Sequence, residues 1–263
     1  MLQSLQSQFQ AAGSRAPRVR PRVPPTTLSH PHTENGPVAG WMRQLLVLSR
    51  GRPNSEQAYL QWCAGSHLSN MMAIPGIAEG AIHRLCNADE GAEWQVASLF
   101  GLEAPTCDIL AEMFERAESA AMPLSESLDD RKVLMLDAEP IGPRRLAPAG
   151  GDRCDGLLFI VLTNPVAGED KAFNHWYDEE HLDDVLATPG VVSAQRFRIA
   201  PETAGRRSPW EYLAIFEVAP EIDARAIDLI SARDGAAEMA ISPALDGATV
   251  YAGLFELERQ VLV

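Results

Sequence analysis

The chain has 263 residues, enough for one large domain or two of roughly 100 to 130 residues. Hydrophobic residues make up 46% and charged residues 22%, the usage of an ordinary globular protein and not of a disordered or collagen-like one. The net charge is −14, and Lys132 and Lys171 are the only lysines. Such a surface repels phosphate, which argues against nucleic-acid or anionic-membrane partners.

Residues 1–42 are rich in Gln, Ser and Pro and carry +3, from Arg15, Arg18, Arg20 and Arg22 against Glu34; the remainder carries −17. A Pro-rich, weakly apolar stretch cannot offset its ordering entropy, so this segment is expected to be disordered. It lacks the charged-then-apolar layout of a signal peptide, and its prolines interrupt any long amphipathic targeting helix. The longest apolar run, Leu157 to Leu162, is far too short for a membrane span. Cys63, Cys86, Cys107 and Cys154 form no CxxC pair, so free thiols and a cytoplasmic location are expected.

Beyond residue 42 the chain repeats itself. Tyr59, Trp62, His67, Leu68, Pro75 and Gly76 recur as Phe173, Trp176, His181, Leu182, Pro189 and Gly190, all 114 residues later. The register then slips by two, so that Trp94 matches Trp210 and Phe100 matches Phe216. The first copy reads as strand 44–49, helix 55–73, strands 77–85 and 94–102, helix 107–118 and strand 132–138. Pro75-Gly76 stops its first helix. Residues 142–155 hold Pro, Gly and Arg with little apolar content and read as a linker. The second copy follows with strand 157–164, helix 170–187, strand 191–199, a polar loop 201–209, strand 210–218, helix 221–234 and strand 249–257. The expected division is therefore an extension 1–42, a module 43–140, a linker 141–155 and a module 156–263.

Each module has the order β-α-β-β-α-β, an α+β, ferredoxin-like pattern. Its two helices cover one sheet face and leave the other bare. Two copies in one chain bury those bare faces most simply by packing sheet to sheet, as an intramolecular α+β barrel with four helices outside.

The stretch Phe173-Asn174-His175-Trp176-Tyr177-Asp178-Glu179-Glu180-His181-Leu182, closing at Pro189-Gly190-Val191, resembles the first-helix signature of the dimeric α+β barrel superfamily, EthD-like members above all. The resemblance covers about residues 43–260, strongly in the second copy and weakly in the first. It implies a ferredoxin-like barrel with a small organic ligand between sheet and helices. Relatives of this type include isomerases, cyclases, oxygenases with or without haem, and accessory proteins. Asp183 stands after His-Leu where many relatives have Pro.

At 100° per residue, Phe173, Trp176, Tyr177, Glu180, His181 and Asp184 share one side of the helix. Tyr177 and His181 are four apart, as are Glu180 and Asp184, so each pair can touch. An apolar core stripe beside a solvated acidic face would look the same. However, Asp178, Glu179, Glu180, Asp183 and Asp184 crowd the helix C-terminal half, where the macrodipole disfavours them. They would raise the pKa of His181. The first copy has Ala64, Gly65, Ser66, Ser69 and Asn70 at those five positions, and Cys63 in place of Tyr177.

Candidate catalytic residues are thus His181 as acid or base, Asp184 or Glu180 as its orienter, and Tyr177 as an oxyanion donor. Trp176, Arg196, Arg198 and His67 are candidate substrate contacts. Arg196 and Arg198 lie two apart on one strand face, able to grip a carboxylate or to pair with nearby acids. There is no HExxH, Walker A loop, GxGxxG or Gly-x-Ser-x-Gly elbow, so a metal or nucleotide cofactor has no support. What remains is cofactor-independent proton transfer on a small organic acid, phenol or lactone, as in an isomerase, cyclase or lyase. The alternatives are a haem-dependent oxygenase or peroxidase with His181 or His67 as axial ligand, and a non-catalytic ligand-binding or accessory protein. A small-molecule substrate is the expected partner, and a homodimer of the tandem barrel is an open expectation.

Overall fold

The first strand alternates Leu45 and Val47 with Leu46 and Leu48, and the two sets pack into different cores. That two-faced pattern recurs around the molecule. The computed structural model describes residues 42–86, 92–148, 156–220, 230 and 239–262. In chain order these give β1 (Gln44–Gly51), α1 (Glu56–Trp62), α2 (Leu68–Met72), β2 (Ile77–Leu85), β3 (Val96–Leu102), α3 (Thr106–Glu118) and β4 (Leu128–Leu146). Then follow β5 (Leu157–Thr163), α4 (Asp170–Trp176), α5 (Leu182–Leu186), β6 (Val191–Ile199), β7 (Glu202–Thr203), β8 (Arg206–Arg207), β9 (Tyr212–Val218) and β10 (Tyr251–Leu262). The expected extension 1–42 (Met42 apart), the helix 221–234 (Ile230 apart) and Cys154 lie outside the described residues.

Eight strands close an antiparallel barrel in the order β1-β3-β2-β10-β5-β9-β6-β4, with β4 returning to β1. Two four-strand runs compose it, β4-β1-β3-β2 and β10-β5-β9-β6. The expected sheet-to-sheet packing is thus completed at the edges. β10 pairs with β2 (Val261↔Gly80), and β4 pairs with β6 (Ala138↔Ile199). Inside lies an apolar core of Leu46, Leu48, Leu99, Leu136, Ile160, Leu162, Phe197, Leu213, Ile215 and Phe255. Outside, α1 to α3 bury a second core against one run, and α4 and α5 bury a third against the other.

Residues 141–146 overturn the expected linker boundary. β4 continues through them to Leu146 and pairs Ile141 with Arg196 and Leu146 with Ser193. Without that extension the β6 edge would expose unpaired amide and carbonyl groups. Arg144 fixes it further. Its Nε donates to Ser193 Oγ at 3.1 Å, and its guanidinium pairs with the buried Glu217. The 201–209 loop, expected to be irregular, contains the β7–β8 hairpin, with Ala204 and Gly205 both at positive φ as a two-residue turn requires.

The Pro-Gly pairs end both first helices as anticipated. Gly76 has φ +93° and Gly190 φ +91°. A Cβ on Gly76 would stand 2.3 Å from Ala104 Cβ, so the turn also needs the space. Cys63 and Cys107 are free. No helix among the described residues is long and apolar enough to cross a membrane.

Candidate functional site

Both first helices are interrupted at matching positions: between α1 and α2 the segment Cys63–His67 is kinked at Gly65 (φ −99°, ψ −106°), and between α4 and α5 Tyr177–His181 forms a π-helical turn. Such turns hydrogen-bond from i to i+5 and rotate less per residue, so the side chains beyond them leave the ordinary helical wheel. This changes the expected acid–base cluster. Glu180 is exposed, and Asp184 is only half-buried. Neither carboxylate orients His181: its Nδ1 is buried with no hydrogen-bond partner. The carboxylate that turns toward the sheet is Asp178.

Asp178 meets Arg196, whose Nη1 donates to Asp178 Oδ1 at 2.6 Å. Arg196 Nη2 donates to Asn174 Oδ1 at 2.9 Å. The guanidinium side chain is 1% exposed, whereas that of Asp178 is 44% exposed. Aromatic rings surround the guanidinium: its Cζ lies 4.2 Å from the Tyr177 centroid, 5.3 Å from Tyr212 and 5.6 Å from Phe173. Its Nε is buried and makes no hydrogen bond. A buried charge requires such pairing, because desolvation alone costs several kcal/mol.

From Arg196 a polar chain runs outward. Asn174 Nδ2 donates to Tyr212 Oη at 2.7 Å, and Tyr212 Oη donates to Asp170 Oδ1 at 2.6 Å. Arg198 reaches the same Tyr212 hydroxyl and pairs with Asp170 at 3.3 Å and Glu211 at 2.9 Å. The arginines therefore share a face and pair with neighbouring acids. Asp170, Asn174 and Asp178, spaced i, i+4 and i+8, form a polar stripe on the helix opposite Arg196 and Arg198 on the strand. Sequence reasoning passed over Asp170, Asn174 and Tyr212, although that spacing opposite an Arg-x-Arg strand was a readable signal.

His181 lies flat on Trp176 at 4.5 Å between centroids and meets Tyr177 edge-on at 5.0 Å. Trp176 and Tyr177 are buried, and Trp176 Nε1 donates to the Ala240 carbonyl at 3.0 Å. The expected rise in the His181 pKa is reversed. Burial first, and the Arg196 charge second, push it down to about 4, so the imidazole is neutral at pH 7. The five acids fail to raise it because none makes a hydrogen bond to it.

His67 repeats the geometry, stacked on Trp62 at 4.5 Å, with an unpartnered Nδ1 and a pKa pushed by burial to about 4. The surroundings differ. At the positions of Arg196, Tyr177, Asp178, Asn174 and Tyr212 the first half has Ile82, Cys63, Ala64, Leu60 and Val96. The polar cluster belongs to the second half alone.

Neither histidine is arranged as a haem ligand. An axial imidazole normally donates its second N–H to an acceptor that fixes the ring, and both Nδ1 atoms here lack one. In each case a tryptophan also covers one ring face. Among the described residues no group of three or more His, Cys, Asp or Glu side chains could hold a metal ion.

No protein-family profile and no curated protein matches the chain. Solved structures do. One described as an anthrone oxidase-like protein aligns over 84% of this chain and 92% of its own, at 12% identity and a TM-score of 0.56. A chlorite dismutase variant from Candidatus Nitrospira defluvii, in complex with cyanide, aligns over 81% and 90% at 11% identity, with a TM-score of 0.50. The fold they share with this chain is an α+β barrel, here closed by eight antiparallel strands. An alignment of that extent takes in both four-strand runs of the barrel, and at this identity the likeness concerns its fold alone.

Proposed function

We propose that this α+β barrel is a small-molecule enzyme of EthD-like type. Its two halves, about 43–148 and 156–263, descend from one duplicated ferredoxin-like module, and the second keeps the working site. The reaction is cofactor-independent proton transfer on a small organic acid, phenol or lactone held between α4, its π turn and strands β6 and β9. The observation that carries this reading is a pair of nitrogens, buried and without a hydrogen-bond partner among the described residues, on side chains that pack against the same Tyr177 ring: His181 Nδ1 and Arg196 Nε, with the arginine absent from the other half.

The neutral imidazole of His181 accepts a proton from the substrate and returns it to a neighbouring atom, as isomerisation or cyclisation needs. Arg196, and the Tyr177 ring packed on it, stabilise negative charge that develops on the substrate. Asn174 and Asp178 hold the guanidinium in place, and Arg198 and Tyr212 anchor those two in turn.

The test is solvent deuterium exchange into a panel of aromatic acids, phenols and lactones, followed by mass spectrometry. The wild-type chain should label at least one compound, and His181→Gln should not, with its melting temperature retained. Undiminished labelling by the variant rejects the mechanism.

One observation favours a non-catalytic ligand-binding or accessory role. The histidine-on-tryptophan stack recurs at His67 without the polar cluster, as a device for packing the interrupted helix would. Labelling that is absent from the wild type, together with saturable binding, would select this second reading.

A further inference from the structure

Arg196 is compensated in an unusual way. The cation lies at the bottom of the helix–sheet packing, yet the one carboxylate that pairs with it among the described residues sits at the boundary with water. Asp178 is 44% exposed, so its carboxylate can leave the guanidinium for water without crossing packed side chains. Arg196 cannot follow it, held by Asn174 and by the rings of Phe173, Tyr177 and Tyr212. Beside the Nη1 that Asp178 holds and the Nη2 that Asn174 holds, Nε is a third donor left for an incoming acceptor.

A ligand that replaces Asp178 must therefore bring a negative charge, or it leaves Arg196 buried and uncompensated. It must also present a flat or apolar body to the surrounding rings. A neutral lactone or un-ionised phenol meets the second condition and fails the first.

We propose that the cleft binds an organic carboxylate of aromatic or similarly flat shape, with Arg196 as its counter-charge and Asp178 as the internal carboxylate it displaces. This rests on the site named under the proposed function and narrows its substrate class to the anionic acid. Asp178 then sets specificity, because it competes with every incoming anion and admits only those whose ring contacts make up the difference.

The probe is benzoate, with isosteric but neutral benzamide as control, read by calorimetric titration of the full chain. Benzoate should bind and benzamide should not. Asp178→Asn, which removes the competing charge and keeps the shape, should tighten benzoate at least tenfold. Arg196→Gln should abolish binding. Should Asp178→Asn not fold, the Arg196 Nε–H resonance of the wild type, assigned by its loss in Arg196→Gln, should move on benzoate addition and stay still with benzamide. Equal affinity for the two probes, unchanged affinity in Asp178→Asn, or an unmoved Nε–H resonance would overturn the proposal. The proton-transfer reading fails separately. Benzoate binding with full deuterium labelling by His181→Gln removes that mechanism and leaves the anion site. Labelling lost in His181→Gln without any preference for benzoate does the reverse.

Discussion

Acid should unfold this protein through its buried histidines. His67, His83 and His181 are each pushed down to about 4, from about 6.5 in an unfolded chain, with burial the main cause at all three. Between those values the unfolded chain binds one more proton than the native chain at each site. Stability therefore rises with pH across the window: the contribution is fully present above about 6.5 and disappears as pH falls toward 4. One proton corresponds to about 1.4 kcal/mol per pH unit. Three histidines give a slope of about 4 kcal/mol per unit near pH 5, and the full window is worth about 10 kcal/mol, comparable with the whole stability of a typical domain. Urea unfolding at pH 7.5, 6.5, 5.5 and 5.0 measures the slope, above the range where most carboxylates protonate. His83→Gln should lower it by about a third. A flat stability between pH 6.5 and 5.0, or a slope unchanged in that variant, would refute the assignment of neutral buried imidazoles.

Gly76→Ala should cost about 3 kcal/mol, since it adds a left-handed backbone penalty to a methyl group 2.3 Å from Ala104 Cβ; a midpoint shift within error in urea would contradict it. Haem added to the purified chain should produce no intense Soret band that depends on His181 or His67. A band lost in either histidine variant would show that these residues ligate iron after all.

The strands and helix stops were legible because their causes are local. Alternating apolar residues predicted β6 as 191–199 and β2 as 77–85 to the residue, and Pro-Gly marked both helix ends. The extension of β4 was hidden, because Pro140, Gly142 and Pro143 are poor strand formers and only the edge of β6, distant in sequence, recruits them. The site was half visible. His181, Trp176 and Arg196 all pack against the Tyr177 ring. Glu180 and Asp184 were misassigned because a regular 100° wheel was carried through a π turn that nothing in the residue pattern announces. The pKa of His181 was misjudged for a related reason: sequence shows how many acids are near, but not that Asp178 turns to Arg196 while Glu180 faces water.

Closure of the barrel has a consequence for assembly. Every one of the eight barrel strands has a neighbour on both sides, so the barrel itself leaves no edge to which another molecule could add a strand. The seams at β2–β10 and β4–β6 lie within a single polypeptide, and the two runs face one another at a local concentration set by the tether, whatever the number of molecules in solution. Dilution should leave this barrel intact, and any pairing with a second copy has to be made through its helices or loops.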